Sequence, residues 1–62
     1  MTWHYNDLGA AWHRIHGPHE AELQLCRGRW VLRWGLLRWR APQEMTPEEA
    51  RAWADRALEV VG

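Results

Sequence analysis

The sequence predicts a small α+β domain, in which a three-stranded antiparallel sheet packs on a C-terminal helix and a short helix precedes the sheet. Two observations support this prediction. Apolar and polar residues alternate through the middle of the chain with a period of two, as they do in half-buried strands. Towards the end, apolar residues instead recur at helical spacing behind a helix-start signal. A chain of 62 residues has room for one hydrophobic core, so we expect residues 1–62 to form a single domain.

The C-terminal helix has the clearest signal. Thr46 and Glu49 have the spacing of a capping box, in which each side chain accepts the backbone N–H of the other residue. Pro47 stands at the first helical position, where its missing N–H costs nothing. A helix is therefore predicted over 47–61, with Trp53 at the centre of the apolar stripe and buried against the sheet. The stripe comprises Ala50, Trp53, Ala54, Ala57, Leu58 and Val61.

Three strands are predicted before this helix. Their alternating patterns cover 20–26, 29–34 and 37–41, and a hairpin turn is predicted at Cys26-Arg27-Gly28. The large residues change parity at Gly35, which indicates either a bulge in one long strand or a turn between two strands. We favour the turn.

The beginning of the chain is ambiguous. Asn6 or its neighbour can cap a helix over 7–16 with apolar side chains on one face, and Gly17 followed by proline is a common helix end. The alternative places Thr2–Tyr5 and Trp12–Ile15 in extended segments. We favour the helix, which gives the element order α-β-β-β-α.

Composition narrows the chemistry and the cellular setting. Eight basic and eight acidic residues leave no net charge. All eight basic residues are arginine, which we interpret as the codon bias of a GC-rich bacterial or phage genome. The single cysteine and the absence of an apolar leader after Met1 predict a cytoplasmic protein. The chain lacks serine and is too short for a deep pocket, so we expect neither an enzyme nor a bound cofactor.

Three histidines raise the question of a metal site. On the predicted helix, His13 and His16 would share a face, with His19 just beyond it, and imidazole is a common zinc ligand. However, the sequence has no Cys-x-x-Cys pair and no second ligand cluster at finger spacing. We therefore expect surface histidines around a helix end and no metal.

The segment 29–40 carries the strongest functional signal. It contains three Arg-Trp pairs and no acidic residue. On the predicted sheet the tryptophans point towards the helix, and the intervening residues point away from it. Because arginine is over-represented at protein interfaces, we predict a partner-binding surface there. Its residues are Arg29, Val31, Arg33, Leu36, Arg38 and Arg40.

The leading hypothesis is a small, non-catalytic interaction or regulatory protein that binds a protein partner, or a second copy of itself, through this surface. Six tryptophans exceed what so short a chain is expected to bury, which favours a homodimer. The alternative is a nucleic-acid-binding module that follows phosphates with Arg29, Arg33, Arg38 and Arg40. No membrane partner is expected, since no apolar run approaches the ~20 residues of a membrane span.

The sequence resembles two groups of known proteins. The phrase Met45–Ala54 behind a tryptophan-rich hairpin resembles short, uncharacterised sheet-then-helix proteins of actinobacteria and their phages, which implies a fold but no activity. The predicted α-β-β-β-α order resembles the double-stranded-RNA-binding domain, and Ala54–Leu58 is similar to its alanine-rich last helix. That family places lysines where this chain has Pro47-Glu48-Glu49, whose carboxylates would repel phosphate, so RNA binding is not implied.

Overall fold

The computed structural model describes residues 3–61, which form five β-strands followed by one α-helix. All five strands belong to one antiparallel sheet and lie side by side in chain order, so the first and last strands are its edges. The protein is α+β, but the prediction of three strands and an N-terminal helix is wrong. The elements are β1 (His4–Asn6), β2 (Ala11–His16), β3 (His19–Cys26), β4 (Arg29–Trp34), β5 (Leu37–Arg40) and α1 (Pro47–Val61).

The segment predicted as a helix over 7–16 forms the turn and the second strand of the β1–β2 hairpin instead. Asn6 does accept backbone N–H groups, as expected of a cap, but it caps a turn. Its Oδ1 accepts the N–H of Leu8 at 2.9 Å, which folds the chain back into β2. The extended alternative at Trp12–Ile15 agrees with β2, whereas its other segment begins at Thr2, outside the described residues.

Tight turns join the later strands. Gly17-Pro18, expected to end a helix, is the two-residue turn between β2 and β3. Arg27 and Gly28 both have positive φ, 52° and 81°, which is the mirror-image turn that suits the twist of a hairpin. Gly35 begins the turn between β4 and β5. The change of parity of the large residues at this position therefore marks a turn, as predicted. The φ of Gly35 is +60° and a Cβ there would lie 3.0 Å from His19 Cδ2, which explains the glycine.

Helix α1 begins and ends where the sequence predicts. In the capping box, the Thr46 N–H donates to Glu49 Oε1 at 2.9 Å and the Glu49 N–H donates to Thr46 Oγ1 at 3.2 Å. Trp53, however, is only half-buried. The buried row is Ala50, Ala54 and Leu58, spaced four residues apart, because the small alanines let the helix approach the sheet while Trp53 packs at the side.

The core lies between α1 and one face of the sheet, which we call the helix side. Leu23, Leu32 and Leu58 are fully buried there. All six tryptophans belong to this core: Trp3 and Trp30 are buried, and the other four are half-buried around it. None of the six is exposed, so tryptophan no longer supports the homodimer, which stays a prediction.

A partly buried ion pair joins β2 to α1. Arg14 is 8% exposed, and its Nη1 donates to Asp55 Oδ1, which also accepts the Trp3 Nε1–H at 2.9 Å. The Arg14 guanidinium carbon lies 5.7 Å from the centroid of the Trp3 ring. A charge withdrawn from water is tolerated only with its partner in place, so this arginine belongs to the structural core.

Candidate partner-binding surface

The face of the sheet that points away from α1 is uncovered, and we call it the open face. Pairing register assigns every second residue of each strand to it. Its charges are divided between strands. Glu20 and Glu22 lie on β3, whereas the arginines lie on β4 and β5. The open face therefore has an acidic region beside a basic one.

The structure brings five of the six predicted partner-binding residues together on the open face. Leu36 is the exception: it lies in the β4–β5 turn and is fully exposed. Val31 is on the open face but only 7% exposed, so it offers a partner little apolar area. The predicted binding residues that lie on this face consequently expose less apolar area than the sequence indicated. These residues are Arg29, Val31, Arg33, Arg38 and Arg40.

The four arginines differ in their neighbours. Arg33 Nη1 lies 3.4 Å from Glu22 Oε1, and Arg29 Nη1 donates to the backbone oxygen of Pro42 at 3.3 Å. Within residues 3–61, the side chains of Arg38 and Arg40 form no ion pair and no hydrogen bond. Both are exposed. Their guanidinium groups are therefore free to bind a carboxylate or a phosphate in the planar, two-bond geometry that arginine favours.

Arg38 and Arg40 line a shallow depression of about 500 Å³ together with Cys26, Arg27 and Val31. Among residues 3–61, no carboxylate lines it. Three cationic side chains around one buried valine make this depression suited to an anionic group carried on a short apolar stem. The depression is therefore a basic concavity of the open face.

Two lining residues, Cys26 and Arg27, were not among the predicted binding residues. The sequence does contain a signal for Cys26, because it has the same parity as Glu22 and Gln24 and must share their face once β3 is recognised. Arg27 has no such signal. It enters the depression because the left-handed turn at Arg27-Gly28 directs the chain there.

The three histidines considered as zinc ligands are separated by the fold. His13 lies on the open face, with Nδ1 3.6 Å from Glu20 Oε1. His16 and His19 lie on the helix side, and each ring centroid is 5.5 Å from that of Trp34. Residues three apart share a face of a helix but lie on opposite faces of a strand. Among residues 3–61 no group of three potential ligands could hold a metal ion.

The fold does not support the resemblance to the double-stranded-RNA-binding domain. Residues 3–61 form five strands followed by one helix, which differs from the α-β-β-β-α order. In the part of the chain that the structure describes, no helix is long and apolar enough to cross a membrane. Comparisons of the chain with protein-family models, curated proteins and solved structures find no match.

Proposed function

We propose that this protein is a non-catalytic binding module that recognises an acidic protein partner through the arginine-bearing part of its open face. The observation that carries the proposal is the pair Arg38 and Arg40. Both line a depression without carboxylates, and neither has an ion-pair partner within residues 3–61. An acidic patch on another protein would supply the carboxylates that bind these guanidinium groups.

Three features favour a protein over a nucleic acid. The tryptophans pack on the helix side, so no indole or phenol ring among residues 3–61 offers unstacked bases a platform on the open face. Glu20 and Glu22 share that face and would repel a phosphate backbone that crosses it. The whole chain has no net charge. A short acidic segment of a protein fits this arrangement better than a long polyanion does.

The proposal is tested with single charge reversals. Arg38→Glu and Arg40→Glu alter the depression, while Arg56→Glu is a matched control, because Arg56 is exposed on α1 and its reversal changes the net charge equally. The probes are a labelled polyglutamate peptide, a DNA duplex and a DNA single strand, measured by fluorescence anisotropy. We expect polyglutamate to bind the wild type and the control, and to bind both depression variants much more weakly. Folding should change by less than about 1 kcal/mol in all three variants.

Two results would contradict the proposal. If Arg56→Glu weakened polyglutamate binding as much as the two depression variants do, net charge alone would explain the effect. DNA binding stronger than polyglutamate binding, with log affinity falling linearly against log salt concentration, would establish the nucleic-acid alternative instead. Sedimentation at several concentrations, run in parallel, tests the predicted homodimer, because self-association would grow with protein concentration.

A further inference from the structure

Building on that proposed function, we propose that the acidic partner supplies an extended segment of alternating acidic and apolar residues, which adds to β5 as a sixth strand. This mode of recognition needs an unpaired strand edge and side chains that select the incoming sequence. Strand β5 has both, as the backbone pairing and the two faces of the strand show.

The backbone pairing of β5 identifies the free groups at its edge. The N–H of Ala41 donates to the oxygen of Trp30 at 2.8 Å. In an antiparallel ladder, residues that exchange hydrogen bonds with the neighbouring strand alternate with residues that do not. Leu37 and Trp39 therefore bond to β4, and the N–H and C=O groups of Arg38 and Arg40 point outwards.

These outward groups are available to a partner. Strand β5 is the last strand of the sheet. Within residues 3–61, no loop or side chain donates to or accepts from the backbone of Arg38 or Arg40. Two consecutive outward residues offer two donors and two acceptors, which fit one short extended segment.

The two faces of β5 define the side chains that an added strand should carry. Arg38 and Arg40 lie on the open face, whereas Leu37, which is 47% exposed, and half-buried Trp39 lie on the helix side. Side chains of an added strand also alternate between the faces. Acidic residues would then stand beside the arginines, and the intervening apolar residues would cover Leu37 and Trp39.

The same side chains disfavour pairing between β5 strands of two copies. Antiparallel self-pairing would bring Arg38 and Arg40 of both copies together on one face, where like charges on neighbouring strands repel. Positive side chains on an edge strand are a common protection against such self-pairing. The edge thus discriminates between its own sequence and an acidic one.

The test uses a capped hexapeptide of alternating glutamate and valine. One control has the same six residues in block order, and another is the alternating peptide with N-methyl groups at the donors that would face β5. Binding is followed by amide NMR and hydrogen exchange on the full chain. We expect the alternating peptide to slow exchange at Arg38 and Arg40 about tenfold, since free donors become bonded. Leu37 and Trp39, already bonded to β4, should change little.

A pair of variants separates backbone recognition from charge. Arg38→Ala and Arg38→Pro both remove the guanidinium group, but only proline also removes the outward N–H. Proline is tolerated where an edge N–H points away from the sheet, so β5 should persist. We expect the proline variant to bind the peptide about fivefold more weakly than the alanine variant, as one hydrogen bond is lost. Circular dichroism tests whether both variants are folded.

Equal affinity for the alternating and N-methylated peptides, or unchanged exchange at Arg38 and Arg40, would overturn strand addition and leave acidic-partner recognition standing. Failure of every acidic peptide to bind at millimolar concentration would overturn both proposals. If Arg38→Pro does not fold, the comparison between the alternating and N-methylated peptides decides.

Discussion

On the helix side of the sheet, Arg14 is buried and bonded to Asp55, whereas on the open face Arg38 and Arg40 are exposed and form no ion pair within residues 3–61. The same residue type therefore has two roles in one sheet. Arg14 completes the core, and its charge requires a partner from α1. Arg38 and Arg40 contribute little to the fold, and their charges remain available for binding. Substitutions can thus alter the charge of the open face without changing the core.

The largest contrast between the two faces is expected for neighbouring residues of β4. Leu32 is fully buried beneath α1, and Val31 is 7% exposed on the open face. Leu32→Ala should cost about 2–5 kcal/mol in the free energy of unfolding, because it leaves a cavity in the core. Val31→Ala should cost about 1.5 kcal/mol, the value for two methylene-sized groups. Urea unfolding measures both. A larger loss for Val31→Ala would mean that the open face holds a second core.

Two arginine–carboxylate ion pairs, one on each face of the sheet, extend the comparison of the two faces. Asp55→Ala leaves Arg14 buried without its partner and should cost about 3 kcal/mol, the lower end for a broken buried pair, since Asp55 is itself partly exposed. Glu22→Ala removes the carboxylate beside exposed Arg33 and should cost less than about 1 kcal/mol. Urea unfolding at low and high salt distinguishes them, because salt should weaken the Arg33–Glu22 pair more strongly than the pair that contains buried Arg14. Equal losses would contradict the structural role assigned to Arg14.

The smallest effect is expected for Leu36, which the sequence placed in the partner-binding surface. It is fully exposed in the β4–β5 turn. Leu36→Ser should alter the unfolding free energy by no more than about 0.5 kcal/mol and leave binding of the acidic peptide unchanged. Differential scanning calorimetry measures the change in the unfolding free energy, and isothermal titration calorimetry measures the binding of the peptide. Weakened binding would show that the turn takes part in partner contact and would extend the surface beyond the strands.

The parts of the fold that were predictable have signals contained in their own sequence. Helix α1 follows from the Thr46 and Glu49 capping box, whose two hydrogen bonds are both present. Strands β3, β4 and β5 lie within a residue of the predicted ranges, because their alternation and the glycines at their turns are local features.

Strand β2 was missed because its alternation is disguised. Its helix-side positions include Arg14 and His16, so the expected apolar residue is polar there. Arg14 is buried only because Asp55 meets it from the distant helix, and no local pattern reveals that pair. Because the alternation is not visible, the apolar residues of the segment 7–16 instead fit the spacing of a helix.

The candidate binding surface was predictable to the same extent as its strands. Parity placed five residues correctly, and Leu36 was misplaced because the turn takes up both Gly35 and Leu36. Val31 lies between Gln24 on β3 and Arg40 on β5, and the methylene groups of these neighbours can cover it. Such cover is a property of the assembled sheet and has no sequence signature.

The chain-order sheet has a consequence for how the protein folds. Each strand pairs with the strand that precedes or follows it, so the sheet can grow one hairpin at a time with little loop-closure cost, which favours rapid folding. The hydrogen bond from Trp3 to Asp55 is different, since it spans 52 residues and joins the first described residue to the last element. Contacts of such long range commonly form late, and then their loss accelerates unfolding more than it slows folding. The lifetime of the folded state would therefore depend on this hydrogen bond between Trp3 and Asp55.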